Sequence, residues 1–212
     1  LAHSAGALPV DLTGAGADFA AGCTYKFLNG GPGAPAFVYV APDHQHVAPL
    51  LSGWLGHEAP FAFDPDYRPG PGISRMRVGT PPVLQMAALE AALDIFDTVD
   101  MHALRARSQH LGDRLIAAVE ARCANVALAS PRDPDARGSQ ISFRHPEGYA
   151  VMQALIARGV VGDFRAPDIL RFGITPLYIG EAEIDRAAET LADILDTAAW
   201  DRPEYKHRAA VT

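Results

Sequence analysis

The first eighty residues carry strand-like runs but almost no helical periodicity, and this limits what the chain can build. Gly and Pro recur through the region, which reads as strands joined by functional loops. Ala36–Val40, AFVYV, is an apolar run of buried-strand length. Gly16–Lys26, GADFAAGCTYK, reads as a short strand ending at the lysine. A parallel sheet needs helices on both faces, and this stretch supplies too little helix to cover one. The region is therefore expected to need partner strands from outside this chain.

After Thr80 the texture changes. Thr80 is a candidate N-cap, with Pro81 and Pro82 at the first helical positions, where a missing N–H does no harm. Met86, Leu89, Leu93 and Phe96 then form one apolar face. Asp100 caps a second predicted helix bearing Leu104, Leu111, Leu115 and Val119. Strands are expected at Val126–Ser130, Ser139–Phe143, Val160–Phe164 and Ile169–Ile174. A helix from Glu147 to Ala157 is closed by Gly159, and a last helix carries Ile184, Ala188, Leu191 and Leu195 on one face. Residues 101–200 thus read as a small α+β domain, and residues 1–100 as part of a larger domain with a linking helix. Residues 201–212 are expected to form a flexible tail.

Of the 212 residues, 49% are hydrophobic and 20% charged, which is the composition of a globular chain with a sizeable core. A net charge of −7 excludes a broad basic face for nucleic acid. No run approaches the ~18 apolar residues of a membrane span, and no signal peptide is visible. Cys23 and Cys123 form no CxxC and no zinc spacing, so both are expected to be reduced and the protein cytoplasmic.

Several residues have the chemistry of a site. Lys26 follows Tyr25 and precedes NGGPG, a loop free to bend. A lone lysine is usually solvated, yet a deprotonated amine held beside a carbonyl forms an imine. Tyr25 can bond a phosphate or pass a proton, or simply be a strand aromatic. The glycines allow close approach of backbone to a ligand, but the order is not that of a Walker loop. Leu51–Phe61, LSGWLGHEAPF, sets Trp54 and His57 among glycines. Trp54 could donate its indole N–H to an anion or anchor packing. Thr80 at a helix start could hold an anion or merely cap. Arg171, in an apolar strand, wants a carboxylate or phosphate, either from a ligand or from a structural acid.

Taken together and in order, LAHSAGALPVDL, GADFAAGCTYKFLNGGPGAPAF, LSGWLGHE, RVGTPP, RGSQISFRHPEGYAVMQALIARGVVGDFR and LRFGITPLY resemble kynureninase, over roughly the second half of that family's chain. The resemblance implies the α/β fold type I of the pyridoxal-phosphate (PLP) transferases, here a partial large domain plus an α+β small domain. It implies that Lys26 forms the imine with PLP and moves protons, and that Tyr25 bonds the PLP phosphate and assists. His3 would lie near the cofactor. Trp54 and Thr80 would reach the phosphate across a homodimer interface. Arg171 would clamp the substrate α-carboxylate, with His57 near the substrate. The implied reaction is hydrolysis of L-kynurenine or its 3-hydroxy form to the matching anthranilate and L-alanine, in tryptophan catabolism and NAD biosynthesis.

The family's aspartate partner of the pyridinium nitrogen precedes the LAHSAG segment and is not in this chain. The expectation is a fragment or a split subunit needing the N-terminal half or a complementing chain, with weak PLP retention and little activity alone. Other readings are a cysteine desulfurase, an aminotransferase, or a non-catalytic chain that only binds a partner. A desulfurase needs a cysteine on a mobile loop, and neither Cys23 nor Cys123 reads that way.

Overall fold

The computed structural model describes residues 1–207, and the chain divides into two units, Leu1–Val99 and Asp100–Thr212. The first unit is sparse in regular structure. Strands β1 (Phe19–Cys23) and β2 (Ala36–Val40) pair antiparallel, Phe19 opposite Val40 and Cys23 opposite Ala36. Short 3-10 turns follow at Trp54–Gly56 and Gly72–Met76, then helix α1 (Val83–Phe96).

Helix α1 starts later than expected, because Thr80 is not its cap. Pro82 occupies that position with ψ 89°, and Thr80 lies outside, exposed. Each residue before a proline is pushed away from the α region, so Thr80 and Pro81 are both excluded and the helix can begin only after Pro82. Its apolar face is also only partly covered. Leu89 and Ala92 are buried, whereas Met86, Leu93, Val83 and Leu84 are exposed.

The second unit is better packed. Helix α2 (Met101–Arg122) opens on Asp100, whose carboxylate accepts the N–H groups of His102 and Ala103 at 2.8 and 3.3 Å. Those bonds hold its pKa below the usual carboxylate value. Strands β3 (Ala127–Leu128) and β4 (Gln140–Arg144), helix α3 (Gly148–Ala157), strands β5 (Asp163–Arg165) and β6 (Ile169–Gly173), and helix α4 (Glu181–Asp196) follow. The expected alternation of helices and strand pairs is present. However, β3 is shorter than the predicted run, and β5 lies three residues later. The sheet is antiparallel, in the order β3-β4-β6-β5. Gly159 ends α3 with φ 80°, which favours glycine.

Period-two alternation sorts the sheet's faces. Ile141 and Phe143 of β4 and Leu170 and Phe172 of β6 enter the core. There they join Leu111, Leu115 and Val119 of α2, Val151 and Leu155 of α3, and Ile184, Ala188 and Leu191 of α4. Arg114 of α2 holds Asp185 of α4 through two bonds of 2.8 and 2.6 Å. Helix α5 (Pro203–Lys206) lies where a flexible tail was expected, with Tyr205 packed against the core. Residues 208–212 of that tail lie outside the described residues. Among the described residues no helix is long and apolar enough to cross a membrane.

His145 links β4 to α3 and makes the second unit sensitive to acid. It is buried, its Nδ1 accepts the Glu147 N–H at 3.1 Å, and its ring meets Trp200 edge-on at 6.0 Å. Burial pushes its pKa below 6.5. The unfolded chain therefore takes up the proton first. This contribution to stability is complete above pH 6.5 and is lost as the pH falls toward the folded-state pKa. Thermal melts between about pH 7 and pH 5.5 should show a smaller loss of Tm in His145→Asn than in the parent chain.

Candidate active site

Lys26 sits on a turn rather than at a strand end. Strand β1 stops at Cys23, three residues short of the expected boundary. The reason is Thr24, which is buried and donates its hydroxyl to the Pro35 carbonyl at 2.5 Å. The Gly30 N–H returns to the Thr24 carbonyl at 2.9 Å, and the Asn29 N–H to that of Lys26 at 2.9 Å. Asn29 adopts φ 60°, a conformation Asn tolerates. Any Cβ on Gly30 would stand 2.9 Å from that of Ala34 and 3.0 Å from the Thr24 carbonyl oxygen. The neck of the loop is thus tightly closed, while its tip presents Tyr25 and Lys26. Tyr25 is exposed and Lys26 half-buried, with Nζ 5.2 Å from the Tyr25 ring centroid. That is within cation–π range.

His3 comes to the same place. Residues 1–8 form successive turns, with the N–H groups of Ser4 and Ala5 bonded to the Leu1 carbonyl at 3.2 and 3.1 Å. Gly6, at φ 82°, lies so close to the Lys26 turn that a Cβ would fall 2.6 Å from the Phe27 carbonyl carbon. The His3 ring meets Phe27 edge-on at 6.4 Å. Three residues singled out by sequence, His3, Tyr25 and Lys26, therefore share one corner of the first unit.

Trp54 and His57 belong to a second, self-clasped loop. Trp54 is 45% exposed, with its ring edge-on to Phe61 at 5.6 Å. His57 is buried, and both its ring nitrogens are used inside the loop. Nδ1 accepts the Ala59 N–H at 2.8 Å, so Nε2 carries the hydrogen and donates to the Asp66 carbonyl at 3.1 Å. The Tyr67 hydroxyl donates to the Gly56 carbonyl at 3.1 Å, and the Gly70 N–H reaches it at 2.8 Å. Arg68 bonds Asp64 at 2.5 Å and also pairs with Glu58. The Arg68 bond holds the Asp64 carboxyl below its usual pKa. These bonds frame a cavity of about 320 Å³ lined by Trp54, His57, Phe63, Asp64 and Tyr67.

The Trp54 turn also lies against the segment leading to Thr80. A Cβ on Gly53 would fall 1.6 Å from the Val78 carbonyl oxygen, and one on Gly56 2.6 Å from that of Arg75. Only glycine permits this approach. The anion role expected of Thr80 as a helix cap does not follow from α1, whose cap is Pro82 and whose first N–H belongs to Val83.

Arg171 lies in the second unit, on β6, facing away from the core. It pairs with Asp163, its cross-strand neighbour on β5. Its Nε is buried without a hydrogen-bond partner. Three residues escaped the sequence reading: Thr24, which closes the lysine turn, Tyr67, which closes the His57 loop, and Asp163. Tyr67 and Asp163 meet their partners only through folding. Thr24 offered a local signal, a hydroxyl one residue before Tyr25.

Residues 104–191 match the family model described as Kynureninase C-terminal domain. The kynureninases of Burkholderia mallei strain SAVP1 and Burkholderia pseudomallei strain K96243 are each 59% identical to this chain over 215 residues. That of Pseudomonas fluorescens is 52% identical over 215 residues. Each alignment covers 100% of this chain and 52% of the relative, so the chain spans about half the length of the curated relatives it matches. Among solved structures, a C-DES mutant with glycine covalently linked to its PLP cofactor superposes with a TM-score of 0.76 at 23% identity, covering 90% of this chain and 49% of that one. A cysteine desulfurase from Thermococcus onnurineus NA1 gives 0.75 at 17% identity, covering 93% and 52%. These likenesses establish the fold, PLP-transferase fold type I, with part of the large domain and the α+β small domain. In sequence, the chain is a relative of the kynureninases and corresponds to the C-terminal half of their length.

Proposed function

We propose that this chain supplies the lysine-bearing half of a PLP-dependent hydrolase that cleaves L-kynurenine, or its 3-hydroxy form, to the matching anthranilate and L-alanine. The observation that carries this reading is 59% identity to kynureninases across the whole chain. The donor set fits PLP. Lys26 offers a primary amine on a closed turn, Tyr25 an exposed hydroxyl beside it, and Trp54 a half-exposed indole on a separate glycine-rich loop. When bound, PLP supplies the electron sink that allows loss of the Cα proton and cleavage of the Cβ–Cγ bond.

The chain's own residues take the remaining tasks. Lys26 would hold the cofactor through Nζ, the amine suited to accept and return the substrate Cα proton. The Tyr25 hydroxyl donates to the phosphate and relays protons to Lys26. His3 would flank the cofactor, Trp54 and Thr80 would reach the phosphate across a dimer, and the clasped His57 would keep the Trp54 loop in place near the substrate. Arg171 holds the α-carboxylate.

The first unit is expected to work with the N-terminal half of such an enzyme, on the same or a separate polypeptide. Its exposed apolar side chains support this, among them Leu50, Leu51, Phe61, Phe63 and Leu84. The free cysteines suit a reducing compartment such as the cytoplasm. They also weigh against a desulfurase, because Cys23 lies in β1 and burial pushes the Cys123 thiol up.

The reading is tested by adding PLP to the chain together with the N-terminal half of a kynureninase relative, reducing with borohydride, and mapping the pyridoxyl label. Label on Lys26 is the expected result. Label confined to another lysine, or none, contradicts it.

A further inference from the structure

The outer face of the second unit's sheet is charged where its inner face is apolar. Arg171 stands there between Asp163 on β5 and Ser142 on β4, its direct cross-strand neighbours. Its Nη2 pairs with one oxygen of Asp163, and the other oxygen is held by Arg165 at 3.0 Å. One carboxylate is thus divided between two guanidinium groups. Two cations against one anion leave a net positive charge at this spot. Among the described residues Asp163 is the acid that pairs with either guanidinium, and Asp168 is committed to Arg144 at 3.0 and 3.2 Å. Ser142 does not relieve the unpaired Arg171 Nε; its hydroxyl accepts from Gln140 Nε2 at 3.2 Å instead. Two residues along β6 on the same face, Gly173 is exposed, and nothing lies within 4 Å of where its Cβ would be.

A guanidinium fully paired with its own carboxylate makes a poor receptor for another. A free guanidinium on a long side chain makes an imprecise one. Here the side chain is pinned and its charge is only half neutralised. We propose that Asp163 is the positioning residue of the carboxylate site. It holds Arg171 through Nη2, shares its second oxygen with Arg165, and leaves the charge of Arg171 only half neutralised, to be completed by the α-carboxylate of an amino acid. The proposal rests on reading Arg171 as the carboxylate clamp. Asp163 itself touches no reacting atom.

Two measurements test it, on the chain assembled with the N-terminal half of a relative. In steady-state kinetics, Asp163→Asn should raise KM for kynurenine about tenfold with kcat within about twofold, the pattern of lost uniform binding. Asp163→Glu should recover most of that loss. Arg165→Gln, an exposed change with little consequence for folding, should also raise KM, because Asp163 then neutralises Arg171 alone. The second readout needs no turnover. Phenylglyoxal should modify Arg171 faster in Asp163→Asn than in the parent, and L-alanine should protect Arg171 in the parent but not in the variant. Unchanged KM in both Asp163→Asn and Arg165→Gln, with the parent active, overturns the proposal and leaves the kynureninase reading intact. If the parent does not hydrolyse kynurenine, that reading fails, and protection still decides the proposal: its loss in the variant supports it, and equal protection in both overturns it.

Discussion

Replacing Lys26 by alanine should abolish kynurenine hydrolysis, lowering kcat by about 10³-fold or more in the chain assembled with its complementary half. On the proposed reading two tasks would end together, since Nζ would be both the anchor of the cofactor and the base that handles the Cα proton. Added amines should restore only part of the rate, because they lack the fixed position beside Tyr25. The fold should survive. Lys26 is half-buried on a turn closed by Thr24, Asn29 and Gly30 backbone and hydroxyl bonds, and its side chain makes no ion pair among the described residues. A circular dichroism spectrum unchanged from the parent, together with lost turnover, separates this outcome from misfolding. Residual activity above a few per cent, on the order of a tenfold loss only, would assign both tasks elsewhere.

The largest effect on stability should come from Phe143→Ala. Phe143 is fully buried at the centre of β4, edge-on to Phe172 of β6 at 6.1 Å, inside the cluster formed by α2, α3 and α4. Removing the ring forfeits its transfer energy and leaves a cavity between strands that cannot collapse onto it, a loss of about 3–5 kcal/mol. For a unit of this size the thermal midpoint should fall by about 15 °C or more. Far-UV circular dichroism is the suitable probe, since four of the five helices lie in the second unit. Val161→Ala serves as the control. Val161 is 81% exposed, and its truncation should change stability by less than about 0.5 kcal/mol.

What sequence could and could not reveal follows from the range of the forces involved. The face Leu104, Leu111, Leu115 and Val119 was legible because helical period and burial coincide, and all four are buried. The extent of β2 and the Gly159 stop are equally local, but β2, expected to be a buried strand, buries only Val40 and leaves Val38 exposed. The α1 face was read as apolar, which it is, but periodicity does not say what covers a face, and Met86 and Leu93 remain exposed. Thr80 was misplaced although the cue lay in the sequence: two consecutive prolines delay a helix start. The end of β1 was misjudged because it depends on a hydroxyl bond from Thr24 to Pro35, eleven residues away. His57 drew notice as a histidine among glycines, yet its bond to the Asp66 carbonyl appears only in the folded loop. Asp163 was invisible for a similar reason. With 25 acidic residues in the chain, only strand register assigns one of them to Arg171.

The central claim is that this chain completes a carbon–carbon hydrolase acting on kynurenine. Its most direct test is to assemble the purified chain with the N-terminal half of a Burkholderia kynureninase, add PLP and L-kynurenine, and quantify both products. The expected products are anthranilate and L-alanine in equal amounts, absent when either half or Lys26 is removed. Pyruvate, a keto acid from transamination, or no product from an assembly that binds PLP would contradict it.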